Sequence, residues 1–111
     1  MKPLLVLTTV GADFDARALA RALVEAKLAA CVNLIERMHS VYRWEGRVAS
    51  DDEQLLVIKT SDERVDALRE ELFARHPYDV PEFVVLAIES TSDAYGAWLF
   101  GAVGNQSDDR Q

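Results

Sequence analysis

The stretch HSVYRWEGRVASDDEQLLVIKT, His39 to Thr60, decides the fold. Glu45-Gly46 marks a tight turn, and the residues on either side predict two extended arms that pair as a hairpin. The incoming arm continues upstream into AACVNLI, so the second strand is expected to run from about Ala29 to Trp44. At ~3.3 Å per residue such a strand is roughly 50 Å long, whereas a compact chain of this size has a radius of gyration near ~13 Å. The hairpin must therefore bend, at Glu36-Arg37 or at Ser50-Asp51-Asp52, or project beyond the body of the fold. A projecting tip carries Tyr42 and Trp44 on one face. Aromatics beside unpaired strand edges are an aggregation hazard in a monomer, so the favoured expectation is that the hairpin packs on a sister subunit in a closed, symmetric oligomer.

Working outward, LLVLTTV (Leu4 to Val10), ended by Gly11, reads as a strand buried on both faces. Asp13 or Asp15 is placed to cap a helix in which Leu19, Ala22, Leu23 and Ala26 recur at helical spacing, with Arg17, Arg21 and Glu25 turned outward. After the hairpin, Thr60 followed by Glu63 forms a capping-box pattern, and Val65, Leu68 and Leu72 supply the apolar stripe of a second helix. Glu71 and Arg75 are spaced to pair on its surface, and Pro77 stops it. EFVVLAIES is the next strand, and SDAYGAWLFGAV a short helix begun by Asp93. The order β-α-β-β-α-β plus a terminal helix predicts an α+β fold of ferredoxin-like type. Its two right-handed crossovers give a four-stranded antiparallel sheet with both helices on one face. Residues 1–103 are expected to form one domain, and the polar stretch 104–111 a frayed tail.

Composition narrows the partners. The formal charge is −7 and the 12 Lys and Arg are scattered without a basic stripe, which argues against nucleic acid. No stretch approaches the ~20 apolar residues that a membrane-spanning helix needs, and MKPLLVLTTVGADF does not read as a signal peptide. A single cysteine, Cys31, suits a reducing compartment, so a cytoplasmic location is expected.

Several side chains are candidates for chemistry. Cys31 lies in an apolar strand with no adjacent His, Lys or helix N-terminus to lower its pKa, which favours a structural role over nucleophile or metal ligand. His39 and His76 are the only histidines, and with one thiol they do not make a closed soft-metal site within one chain. A site shared between subunits, or completed by carboxylates and water, stays open. His76 could equally cap the C-terminus of the helix before Pro77. Tyr42, Trp44, Lys59, Tyr78, Glu82, Tyr95 and Trp98 either line a small-molecule pocket at a subunit junction or pack an interface. In RHPYDVPEFVV, Arg75 to Val85, two prolines hold the chain extended and restrict His76 and Val80. That aims Tyr78 and Glu82 at a fixed point near a neighbouring subunit's Tyr42 and Trp44: a stiff connection that also serves as one wall of an inter-subunit pocket. The G-x-S-x-G, P-loop and G-x-G-x-x-G patterns are absent, and no enzymatic reaction is expected.

The blocks KLAACVNLI, SVYRWEG, LLVIKT, HPYDVPE and YGAWL, in this order and at these separations, closely resemble the CutA divalent-cation-tolerance family across roughly residues 4 to 100. The resemblance implies a ferredoxin-like subunit assembled as a tight homotrimer with strands pairing between subunits. It also implies a link to tolerance of copper and other divalent cations, with no established reaction. Its architecture is similar to that of nitrogen-regulatory signalling trimers, which bind small effectors in clefts between subunits. The copper site proposed for the family maps onto Thr8, Arg75 and His76, of which only His76 keeps a ligand, while Cys31 matches another cysteine discussed for metal binding. The expectation is a trimer that responds to Cu2+ or another divalent cation by binding rather than catalysis. His76 is its expected metal anchor, completed by Glu82 or a neighbouring subunit, and Tyr42, Trp44, Lys59, Tyr78, Glu82 and Trp98 line its cleft. The alternatives are a small-effector signalling trimer in which metal is incidental, and a structural adaptor trimer.

Overall fold

The structure, a computed structural model, describes residues 1–104. The polar tail expected at the C-terminus lies, from 105 onward, outside the described residues. The elements are β1 (Pro3–Gly11), α1 (Ala16–Glu25), β2 (Cys31–Trp44), β3 (Arg47–Ser61), α2 (Val65–Arg75), β4 (Val84–Ala87) and α3 (Asp93–Ala102). The strands form one antiparallel sheet in the order β2-β3-β1-β4, which is the ferredoxin-like arrangement.

Alternation along the central strands builds the core. Val6 and Val10 of β1 and Leu56 and Ile58 of β3 are fully buried, and pack with Leu19 and Leu23 of α1 and Leu68 and Leu72 of α2. The intervening Leu5, Leu7, Leu55 and Val57 face the other side and are only half-buried, so β1 is not sealed equally on both faces as its composition suggests. α3 covers part of that second face. Leu99 and Val103 bury against Ala30, and Lys59 holds its ammonium 5.8 Å from the Tyr95 ring centre. Arg64 fixes the end of α3, donating from Nε to the Val103 carbonyl at 2.8 Å and from Nη2 to that of Gly104 at 3.0 Å.

The helix ends settle one open choice, bear out the start of α3 and correct one expectation. Asp15, not Asp13, caps α1, its Oδ1 accepting from the Ala18 amide at 3.0 Å. Thr60-x-x-Glu63 is not a capping box: Thr60 is a buried residue of β3 whose hydroxyl donates to the Leu28 carbonyl at 2.8 Å. α2 therefore starts after Arg64, which makes no side-chain cap bond. α3 is capped by Ser92, with Asp93 in the first turn. Two strands are also shorter than expected. β2 begins at Cys31 because the amides of Leu28 and Ala29 still bond the Leu23 carbonyl at the end of α1. β4 runs only from Val84 to Ala87: beyond Ala87 the Ile88 amide still bonds the Pro3 carbonyl at 3.2 Å, but Pro3 has no amide hydrogen to extend the ladder further, and Glu82-Phe83 stay outside it at the other end.

The hairpin projects. The molecule measures 51 × 26 × 22 Å, and β2 stays paired with β3 from Cys31↔Lys59 to Trp44↔Arg47. Glu45 and Gly46 both have positive φ, 51° and 79°, the combination that matches the twist of a two-residue turn. At Glu36-Arg37 the strand does not fold back; the register slips by one residue between Ile35 and Met38. Such a bulge switches which residues face each side. Below it, Val32 and Leu34 turn toward the helices and Ile35 opposes Leu55 on the open face. Above it, Met38 opposes Glu53 and Ser40 opposes Asp51, so Tyr42 and Trp44 come onto that same open face. Arg17 of α1 holds the slip in place, its Nε and Nη2 donating to the Glu36 carboxylate at 3.0 and 3.2 Å.

Candidate functional site

A cleft of about 950 Å³ opens where the root of the hairpin meets the connection between α2 and β4. Its floor is Thr9, Gly11, Leu55 and Glu53; the hairpin supplies Met38, Tyr42, Trp44, Asp51 and Asp52, and the connection supplies Tyr78, Asp79 and Glu82. The bulge brings the hairpin residues in, and the prolines hold the opposite wall extended. His76, forced out of helical geometry before Pro77 (ψ 136°), turns its ring across to β1. Its Nε2 donates to the Thr9 carbonyl at 2.8 Å, and its Nδ1 accepts from the Tyr78 amide at 3.1 Å. Both nitrogens are thus used by the neutral ring, and burial pushes its pKa below the usual histidine value. The expected cap on α2 is absent, because the ring serves β1 instead.

Two phenols bind the acidic row. Tyr78 donates to Glu53 Oε2 at 2.7 Å, and Tyr42 donates to Asp51. Burial and the Glu53 bond raise the Tyr78 pKa, and the Asp51 bond raises that of Tyr42. Glu82 is half-buried, and burial, with a smaller push from Glu53, raises its pKa above the ordinary glutamate value.

Of the six residues expected to line the cleft, Tyr42, Trp44, Tyr78 and Glu82 come together. Lys59 and Trp98 do not reach it: both sit at Tyr95, with the Trp98 ring centre 5.3 Å from that ring and tilted 43° to it. Cys31 lies opposite Lys59, with its thiol 3.7 Å from Asn33 Oδ1. Sequence reasoning missed Asp51, Glu53 and Asp79 as lining residues. The run Asp51-Asp52-Glu53 across the turn from Tyr42 was the available signal, but the slip in register that decides its facing is not visible in composition.

The positions matching the copper site do not fit that ion within one chain. Thr8 is fully buried on the helix side with no hydrogen-bond partner for its hydroxyl among the described residues, Arg75 pairs with Glu71, and both His76 nitrogens are engaged. Among the described residues, no group of three or more His, Cys, Asp and Glu side chains is placed to hold a metal ion. None of their helices is long and apolar enough to cross a membrane.

The sheet order, the projecting hairpin and the third helix define a ferredoxin-like α+β domain of a particular elaborated kind. The chain belongs to the CutA1 divalent ion tolerance protein family, whose sequence model matches residues 4–101. It is 47% identical over 94 residues to the divalent-cation tolerance protein CutA of Thermus thermophilus, covering 85% of this chain and 91% of that protein. It is 44% identical over 102 residues to the chloroplastic protein CutA of Arabidopsis thaliana, covering 92% of this chain; the match spans only 56% of that longer relative. The crystal structure of CutA1 from Oryza sativa superposes with a TM-score of 0.90 at 40% identity, over 96% of this chain and 97% of that one.

Proposed function

We propose that the protein is a homotrimer that takes part in the response to divalent metal ions by binding rather than by catalysis, in a reducing, cytoplasmic compartment. Its ligand sits in the cleft at the root of the hairpin, with a sister subunit supplying the outer wall. The lining of the cleft carries this reading: Asp51, Asp52, Glu53, Asp79 and Glu82, with no Lys, Arg or His among the lining residues. Such a surface favours a cation. Its oxygen donors suit hard divalent ions better than copper, which prefers imidazole or thiolate.

Assembly is supported by the open edges. β4 exposes Val84, Val85 and Leu86, and the hairpin leaves Val41 66% and Val48 68% exposed. Apolar strand edges of this kind call for a covering partner. Native mass spectrometry of the metal-stripped full chain, titrated with Mg2+, Mn2+, Zn2+ and Cu2+ in turn, tests both parts. A three-chain species taking up three metal ions, with uptake reduced in Glu53→Gln, is the expected result. A monomer, or a trimer that binds nothing, would refute the reading.

A second reading rests on the aromatic lining. Tyr42, Trp44 and Tyr78 are of no use to a bare ion but suit a small organic effector, and the cleft falls within the usual volume of small-molecule sites. In that case the trimer signals by binding the effector, and the link to metal ions is indirect.

A further inference from the structure

Resting on the reading of the cleft as a ligand site, we infer that its ligand is an aliphatic di- or polyamine, with ammonium groups against Asp51 and Glu53 and a carbon chain along Tyr42, Trp44 and Tyr78. Charge complementarity excludes an anion, because every ionised lining group is a carboxylate. Two features then separate an organic cation from a metal ion. The carboxylates do not converge: Asp51 and Glu53 are two residues apart on one face of β3, roughly 7 Å along the strand, and no three acidic groups gather at one point among the described residues. That backbone spacing is comparable to the separation of two ammonium groups on a four-carbon chain. The lining also mixes three aromatic rings and Met38 with the acids. Aromatic faces attract ammonium groups, and apolar side chains cover methylenes, whereas a hydrated metal ion gains nothing from either.

The carboxylates are held ready. Tyr42 and Tyr78 each donate one hydrogen bond, to Asp51 and Glu53 respectively, which orients the acids and leaves lone pairs free for an incoming ammonium group. Glu82 adds a half-buried acid beside Glu53 whose charge lacks a compensating cation in the lining.

Isothermal titration of the full chain with putrescine and spermidine in about 150 mM salt tests the inference, with 1,4-butanediol, ATP and Mg2+ as comparison ligands. One polyamine per chain is expected, with no binding of the diol or ATP. Asp51→Asn combined with Glu53→Gln should weaken binding at least tenfold. Trp44→Ala, which leaves the net charge unchanged, should weaken it about fivefold through the lost ring contact; if that variant does not assemble, Trp44→Leu gives the same readout. Polyamine affinity untouched by the Trp44 variants would show diffuse attraction to an acidic protein and overturn the inference. Mg2+ or the diol bound in a Glu53-dependent way without polyamine binding would overturn it while leaving the cleft as a site. An intact trimer that binds none of these ligands, nor the metals tested by mass spectrometry, would overturn the inference and the cleft reading together.

Discussion

Tyr78, on the connection after α2, places its phenolic oxygen 2.7 Å from Glu53 Oε2 on β3, and this bond fastens one wall of the cleft to its floor. Glu53 is only 8% exposed, so its carboxylate depends on that donor in place of water. Tyr78→Phe should lower stability by about 1.5 kcal/mol, the lower end for a hydrogen bond to a charged group because Tyr78 itself is partly solvated. Urea unfolding measures the loss, and hydrogen exchange should show residues 76–82 opening more readily. A variant unchanged in both would show that the wall is held by its prolines alone.

His76 makes the same wall sensitive to acid. Its folded-state pKa is depressed below 6.5, mainly by burial, so the folded protein resists protonation more than the unfolded chain does. The stability this contributes is complete above pH 6.5 and is lost as pH falls through the lowered folded value. Between pH 7.5 and 5.5 the urea midpoint of the wild type should fall, and His76→Leu should fall less over the same window. Parallel curves for the two proteins would contradict the assignment of this pH dependence to His76.

Glu82 has the opposite sign. Its folded-state pKa is raised by burial and by Glu53, so its contribution favours folding below pH 4.5 and is lost as pH rises through the raised folded value. Glu82→Gln should therefore unfold at a higher urea concentration than the wild type at pH 7, yet bind cationic ligands more weakly. A variant both less stable and unimpaired in binding would contradict this.

On the hairpin, Val41 and Val48 are exposed apolar residues that a sister subunit is expected to cover. Val41→Asp with Val48→Asp should shift the proposed trimer toward monomer, read by light scattering on a sizing column. If the double variant stays trimeric at micromolar concentration, the contact between subunits lies elsewhere.

Much of this fold is legible from alternation and turn chemistry. LLVLTTV, Glu45-Gly46 and the stripe of Leu68 and Leu72 each encode their element locally, so β1, the hairpin turn and α2 follow from the sequence. Thr60 misled because a capping pattern describes spacing alone, and burial of that threonine against the Leu28 carbonyl decides its role instead. The cleft was half legible for a related reason. Tyr78 and Glu82 are aimed by nearby prolines, a local effect, whereas Lys59 and Trp98 were grouped by residue type and the fold places them at Tyr95. Asp51 and Glu53 went unnoticed because their neighbours across the sheet depend on a slip in register that no residue type announces.

That slip makes the hairpin a device that counts. Tyr42 and Trp44 share a face with Glu53 only because one extra residue is spent between Ile35 and Met38. Removing either Glu36 or Arg37 would restore even pairing and carry every side chain above that point to the opposite side, emptying the cleft of its aromatics without changing one of them. Length on these two arms is thus quantised: trimming or extending them by matched pairs of residues preserves the facing of the cleft, and an odd change on one arm inverts it. Anyone grafting this hairpin onto another sheet would have to transplant the miscount along with the residues it serves.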